Sequence, residues 1–393
     1  MNSSVMPNFG NWKETMRPLN KVGNKSQIKV ALIFGTRPEI IKLSSLMRLM
    51  GSEKVPFLMI HTGQHYSANL DEIFFKEIGL PKPKYNLRVK SKAPELQGYH
   101  TGKMLIEIEK ILLKESPTHV LVQGDTNTVL AGALAASKIS TTSSFTGLRY
   151  ILGHVEAGLR SYDRQMPEEI NRFISDHLSD LLFAPTKHSR KILINEGIDP
   201  SKIFVTGNTV VDAVFQNLEI AKKSVSKNFY KRGDYLLATL HRQENVDEPN
   251  RLKGILKGIE MAALELKKKV VLPLHPRTRL KMKTFGISLP SSFEVMEPVG
   301  FLEFLMLESH ASLMMTDSGG VQEEACILKV PCVTLRTTTE RPETIEVGAN
   351  ELAGVESENI LRAAKKMLNR PREWENPFGD GMAAHYILQA LLN

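Results

Sequence analysis

The sequence has only two cysteines, Cys326 and Cys332. That is too few for a disulfide framework, so a reducing compartment, the cytoplasm, is the default expectation. No stretch of about 18 apolar residues runs without a charge, which excludes a transmembrane helix. The opening MNSSVMPNFGNWKETMRPLN has no charged start followed by an apolar run and does not look like a signal peptide. No G-x-G-x-x-G follows a strand-like run. The nearest match, Gly379–Ala384, has no strand before it, so the dinucleotide fingerprint is missing and no NAD is expected. Gly98–Lys103 (GYHTGK) misses the P-loop spacing and lacks the following Ser or Thr, and no G-x-S-x-G elbow occurs. His61 and His65 are four apart, but Gly63 disfavours a helix there and no zinc-protease glutamate accompanies them. No metal site is expected.

What is present is ample for a core. The 393 residues are 42% hydrophobic and 24% charged, a globular balance at a length that suits two domains. The net charge of +8 suits an anionic ligand as well as it suits a merely basic surface. The basic residues are scattered, with no aromatics interleaved, so nucleic acid is disfavoured. Short apolar runs alternate with segments of helical period: 28–34, 57–60, 120–122, 151–153, 181–183 and 203–205. They resume at 236–240, 270–274, 293–296, 312–316 and 332–335. Such alternation predicts an α/β protein with parallel sheets covered on both faces, in two Rossmann-like, doubly wound domains. The expected units are an N-terminal arm over 1–27, domains over 28–210 and 211–375, and a C-terminal helical segment over 376–393. The polar SKNFYKRGD (226–234) reads as a hinge and STTSSFTGLR (140–149) as a polar loop. Ligands of doubly wound sheets sit beyond the C-terminal strand ends, here in the cleft between the domains.

Motifs with usable chemistry gather at those strand ends. GTRPE (35–39) follows the first strand and opens a helix, where Arg37 and Lys42 can meet an anion at the N-terminus; a structural turn is the competing reading. TDSGGVQEE (316–324) repeats the arrangement. Ser318, Gly319 and Gly320 offer N–H groups with little steric cover, and Glu324 a carboxylate for ribose hydroxyls. HVEAGLRSYDRQMPEEINR (154–172) places Glu156 at a strand end and Glu168 and Glu169 in a first helical turn. Helix-dipole stabilisation suffices for Glu169. In QGDTNT (123–128), Asp125 reads better as a helix N-cap than as an acid or base. His241 in TLHRQEN and His275 in PLHPRTR end the next two strands.

The ordered series FGTRPEIIK, GQH, QGDTNT, GHVEAGLRS, MPEEINR, TGNTVVDA, HRQEN, TDSGGVQEE and TTERPE, from residue 28 to the C-terminus, resembles the non-hydrolysing UDP-N-acetylglucosamine 2-epimerases. The resemblance implies a GT-B-like pair of Rossmann-like domains, commonly assembled as a homodimer, with a C-terminal helix crossing back to the first domain. It implies catalytic roles for Asp125, Glu156, Glu168 and His241. It implies UDP-sugar contacts from Arg37, Lys42, Ser318, Gly319, Gly320, Glu324 and Arg341, with Val299 and Phe304 facing uracil and His275 contacting ligand. UDP-N-acetylglucosamine and UDP are the partners implied. The bacterial activator site matches at Gln64, but its second glutamine falls on Ser67; that site is not carried over, and the chain is more similar to archaeal members. The chemistry fits the missing fingerprint. The C2 proton has no neighbouring carbonyl, so without NAD it must leave as UDP departs from C1, giving 2-acetamidoglucal that takes UDP back with a proton on the other face. Other readings of the same motifs are an epimerase of a diacetamido uronic acid, a hydrolysing epimerase, a GT-B glycosyltransferase and a non-catalytic UDP-sugar sensor.

Overall fold

The computed structural model describes residues 28–64, 74–89, 96–164, 166–224 and 232–393. The 1–27 arm, His65, Ser67, residues 90–95 and most of the 226–234 segment lie outside the described residues. Two parallel sheets organise the rest. The first comprises β1 (Val30–Phe34), β2 (Phe57–His61), β3 (Tyr85–Asn86), β4 (His119–Gln123), β5 (Ile151–Val155), β6 (Leu181–Ala184) and β7 (Ile203–Val205). The second comprises β8 (Tyr235–Thr239), β9 (Lys269–Pro273), β10 (Phe293–Met296), β11 (Leu313–Thr316), β12 (Cys332–Thr334) and β13 (Asn350–Leu352). The spatial orders are 3-2-1-4-5-6-7 and 10-9-8-11-12-13, with every ladder parallel.

The central strands are apolar without alternation because helices cover both their faces: all five residues of β1 (VALIF) and of β4 (HVLVQ) are buried. The sequence pattern anticipates eleven of these strands. It does not anticipate β3 and β13, edge strands of two and three residues (YN and NEL) that carry no apolar run. The polar loop expected over 140–149 is partly helical: the preceding helix runs to Thr141, and Ser143–Thr146 form a further turn. The Thr142 hydroxyl donates to the carbonyls of Lys138 and Ile139 and that of Thr146 to Thr142, so polar side chains here satisfy helix-end carbonyls.

The helices that carry or brace the cleft are α1 (Arg37–Ser52), α2 (Gln97–Glu115), α3 (Asn127–Thr141), α4 (Pro167–Leu178), α5 (Thr209–Ser224), α6 (Pro276–Thr284), α7 (Phe301–His310), α8 (Gly319–Ile327), α9 (Pro342–Glu346) and α10 (Ala383–Leu392). The strand order of both sheets reverses beside the first strand, between β1 and β4 and between β8 and β11. Those reversals open crevices at the strand C-termini. α5 joins the halves, packing on both α1 and α7. Its Ala221 enters the core that holds Val30 and Leu32, while Val210, Val214 and Leu218 enter the core beneath the second sheet. Phe74 meets Phe301 edge-on at 6.2 Å, and Glu77 accepts from the Leu302 N–H at 3.3 Å, a second junction between the halves.

The last helix, α10, packs on α1 and α5, and its Ile387, Leu388 and Leu391 join the first core. Asp212, buried on α5, accepts from the Ala383 and Ala384 N–H groups at 3.1 and 2.9 Å and so caps α10; burial pushes its carboxyl up to about 7. Asp212→Ala removes the acceptor of two helix-end donors and is expected to lower stability by about 1–2 kcal/mol in urea unfolding.

Candidate active site in the inter-domain cleft

The first crevice is built on a turn that admits only glycine. A Cβ at Gly35 would lie 2.2 and 2.3 Å from the Thr62 and Thr128 hydroxyls. Thr36 caps α1, and the buried Glu39 accepts from the Gly35 and Thr36 N–H groups at 2.7 Å each and from the Thr126 hydroxyl at 2.6 Å. One carboxylate thus ties the turn after β1 to the turn after β4; burial pushes it up to about 7. Arg37 is exposed at the first position of α1, its guanidinium 5.6 Å above the Phe74 ring.

Asp125 is not the N-cap expected from the sequence. The cap of α3 is Thr126, one residue later. Asp125 stands free of the helix and pairs instead with Arg172 of α4 at 2.9 Å. The displacement has a physical cause: Arg172 also bonds Glu169, and that buried carboxylate accepts from the Ser161 and Tyr162 N–H groups at 3.0 and 2.8 Å. Glu169 therefore fixes a loop as well as meeting a helix dipole, while Glu168 beside it is half-buried. His154 braces the same region, bonded to Asp176 at 2.7 Å and to the Gly124 carbonyl at 2.8 Å.

Glu156, immediately past β5, has a φ of 71°, a left-handed conformation that a side chain adopts at a cost. Its buried carboxylate receives Lys42 Nζ at 2.6 and 2.7 Å, the Gln123 amide and the Asn208 amide at 3.3 Å. From the second domain, Arg341 Nη2 lies 3.9 Å from Glu156, and Arg341 Nε lies 2.8 Å from Glu323. Burial opposes charge on Glu156, but Lys42 and Arg341 outweigh it and hold the carboxyl below the usual range. Burial likewise opposes charge on Lys42, and Glu156 and Glu323 hold it above its ordinary value. Two cations and two carboxylates thus meet across the cleft.

The second crevice is a cavity of ≈ 200 Å³ lined by His241, His275, Val299, Phe304, Ser318 and Val321 among others. Asp317, fully buried after β11, accepts from the His241 and Arg242 N–H groups at 3.1 and 3.0 Å and lies 3.2 Å from His241 Nδ1. Burial works against its charge, but the His241 ring and these N–H groups hold Asp317 below the usual range. His275 caps α6 through Nδ1, which accepts from the Arg277 N–H, and its ring lies 5.8 Å from that of His241. Burial, then His241 and Arg277, push His275 down. Ser318 holds the N-cap position of α8 without a side-chain cap bond, and a Cβ at Gly320 would meet no atom within 4 Å, so the start of this helix is open to an anion. Glu324 faces Glu308 of α7. Burial pushes Glu324 up to about 7, and burial with Glu324 alongside pushes Glu308 well above the carboxylate range.

The structure therefore gathers Lys42, Glu156 and Arg341 in one cluster and His241, His275, Val299, Phe304 and Ser318 in one cavity. Gly319 and Gly320 lie at that cavity's helix start, and Asp125 lies two residues past β4. The sequence reading did not single out Gln123, Arg172, Asn208, Asp317 or Glu323. Asp317 carried a usable signal, an acid directly after a buried strand; for the others only the fold brings the partner within reach. Among the described residues no three His, Cys, Asp or Glu side chains form a group suited to a metal, and no helix is long and apolar enough to cross a membrane.

The profile of the UDP-N-acetylglucosamine 2-epimerase family matches residues 48–392. A UDP-N-acetylglucosamine 2-epimerase of Methanocaldococcus jannaschii is 53% identical over 373 residues, covering 93% of this chain and 99% of its own. One of Methanococcus maripaludis is 52% identical over 370 residues, covering 92% and 97%. The crystal structure of the M. jannaschii UDP-GlcNAc 2-epimerase in complex with UDP-GlcNAc and UDP superposes with a TM-score of 0.81, over 93% of this chain and 99% of that one.

The two neighbouring glutamates separate in a simple experiment. Glu169→Gln loses the ion pair with Arg172 and weakens the loop bonds, and is expected to cost about 1–3 kcal/mol in chemical denaturation. Glu168→Gln is expected to stay within about 0.5 kcal/mol of the parent.

Proposed function

The chain belongs to the UDP-N-acetylglucosamine 2-epimerase family, and from that premise we propose that it interconverts UDP-N-acetylglucosamine and UDP-N-acetylmannosamine by eliminating UDP and adding it back, without NAD or metal. Glu156 carries this reading: a carboxylate in a strained backbone, held between Lys42 and Arg341 where the two crevices meet. Strain of this kind concentrates at functional sites. Uracil lies against Val299 and Phe304 with His275 nearby, and Glu324 accepts the ribose hydroxyls. The diphosphate takes the N–H groups of Ser318, Gly319 and Gly320 and the cations Arg37, Lys42 and Arg341. The sugar then projects toward Asp125, Glu156, Glu168 and His241.

In the forward direction the C2–H electrons form the C1=C2 bond as the C1–O bond breaks toward UDP. One carboxylate receives the proton, and the cations and helix start take the charge of the leaving diphosphate. In the return, UDP oxygen rebonds to C1 and an acid on the other face protonates C2. The carboxylates just past β4 and β5, adjacent strands of one sheet, and His241 held by Asp317 across the cleft are the groups available to the two faces of the sugar. A closed cleft between the 28–210 and 211–375 units retains the glycal.

A homodimer and a cytoplasmic location belong to the same reading. On α2, Tyr99, Ile106 and Leu113 are 57%, 50% and 42% exposed at a seven-residue spacing, one apolar stripe. α2 packs on α3 and α3 on α4, whose Ile170 and Phe173 are exposed too. Exposed apolar residues on neighbouring helices suit a second copy of the chain. Cys326 and Cys332 are both buried free thiols, as the cytoplasm permits.

In deuterium oxide, incubation with UDP-N-acetylglucosamine is expected to give UDP-N-acetylmannosamine and deuterium at C2, followed by NMR. Absence of exchange at C2 overturns the elimination mechanism, and free N-acetylmannosamine would identify a hydrolysing enzyme instead. Asp125→Asn and Glu156→Gln are each expected to slow exchange by about 100-fold or more while UDP still binds. Ile106→Lys is expected to yield a folded monomer by light scattering, and a mass unchanged from the parent's would remove α2 from the interface.

A further inference from the structure

Lys42, Arg341 and Glu156 each have a part in the proposed reaction. Glu323, the fourth member of their cluster, has none. It is 1% exposed and lies on α8. Its Oε1 is 2.8 Å from Arg341 Nε and accepts from the Asn208 amide at 3.3 Å. Its Oε2 has no hydrogen-bond partner among the described residues and lies 4.0 Å from Lys42 Nζ. The Glu323 carboxyl is thus lodged between the two cations that the diphosphate must use.

Two buried cations balanced by two carboxylates are stable together, whereas a buried carboxylate that loses its cation is costly and tends to protonate. When a diphosphate claims Lys42 and Arg341, Glu156 keeps two neutral donors, Gln123 and Asn208. Glu323 keeps only Asn208. We propose that Glu323 is a positioning residue that stands in for the diphosphate in the unliganded cleft, holding Lys42 and Arg341 in place, and that it takes up one proton from solvent when UDP binds. This deepens the proposed function and rests on those two cations being partners of the diphosphate. The other ionisable groups around Glu323 are Glu156 past β5, Glu343 on α9 and Glu324 on its own helix; Asp125 acts on Arg341. Burial keeps Glu323 above the usual carboxylate range even with Arg341 and Lys42 holding it down, so withdrawing the cations pushes it further up.

The bound state then holds more protons than free enzyme and free UDP. UDP affinity must fall as pH rises, by up to about tenfold per unit. Titration calorimetry of the full chain with UDP between pH 7.5 and 8.5, in buffers of different ionisation enthalpy, reads the proton count directly. The terminal phosphate of UDP, with a second pKa of about 6, is already ionised there and takes up no proton. The expected uptake approaches about one proton per UDP, and infrared difference spectra gain a protonated carboxyl band. Glu323→Gln is expected to bind UDP with no uptake and a pH-independent Kd, which a purely structural role would not produce. Binding with no uptake and no carboxyl band in the parent protein overturns the inference alone, as does wild-type uptake retained in E323Q. Should that variant fail to fold, uptake and band in the parent still decide. Failure of UDP to bind at all overturns the functional reading beneath it.

Discussion

The contact between Lys42 and Glu156 at 2.6 Å is the constraint around which the cleft is arranged. Neither group could stay charged at such depth alone, and breaking a pair of this kind leaves an uncompensated buried ion. Its geometry is therefore secured on both sides. Lys42 is aimed by a helix whose first turn is pinned by Gly35, Thr36 and Glu39. Glu156 is aimed by a left-handed backbone and by amide donors from Gln123 and Asn208. The second domain then attaches to the same pair through Arg341 and Glu323, so domain position and site charge are coupled.

Both halves use one construction, a parallel sheet whose strand order reverses beside its first strand, but fill the crevice differently. The first half supplies ionisable groups held by other ionisable groups: Asp125 by Arg172, Glu156 by Lys42, His154 by Asp176. The second supplies a cavity with an open helix start and apolar walls, and a buried acid, Asp317, that orients His241. That division suits a ligand with a reacting sugar at one end and a nucleotide to be recognised at the other. α5 and α10 tie the halves together through their packing on α1 and, for α5, on α7.

Much of this was legible in the residues. Continuous apolar runs marked the inner strands, because a strand covered on both faces has no polar side to show. Turn residues at their ends marked the places where a strand gives way to a helix, as at Gly35–Thr36 and Asp317–Ser318. Legibility failed where an interaction is long-range or an element is short. Tyr85–Asn86 and Asn350–Leu352 lie at sheet edges without an apolar signature. Asp125 carried a helix-cap signature, yet Thr126 takes the cap and Arg172, far along the chain, takes Asp125. Glu169 looked like a dipole partner and proved to fix a loop.

By itself the sequence determined the α/β architecture of two parallel sheets and the family to which the motifs belong. These are local properties: run length, turn composition and residue order survive without knowledge of the fold. Only the tertiary structure decided which charges meet. Glu323 and Glu324 are neighbours with the same side chain, yet one enters the ion cluster with Lys42 and Arg341 and the other faces Glu308. The reason is helical geometry, which turns successive residues about 100° apart. One carboxylate thus points across the cleft and its neighbour into its own domain, a difference that no spacing in the sequence records.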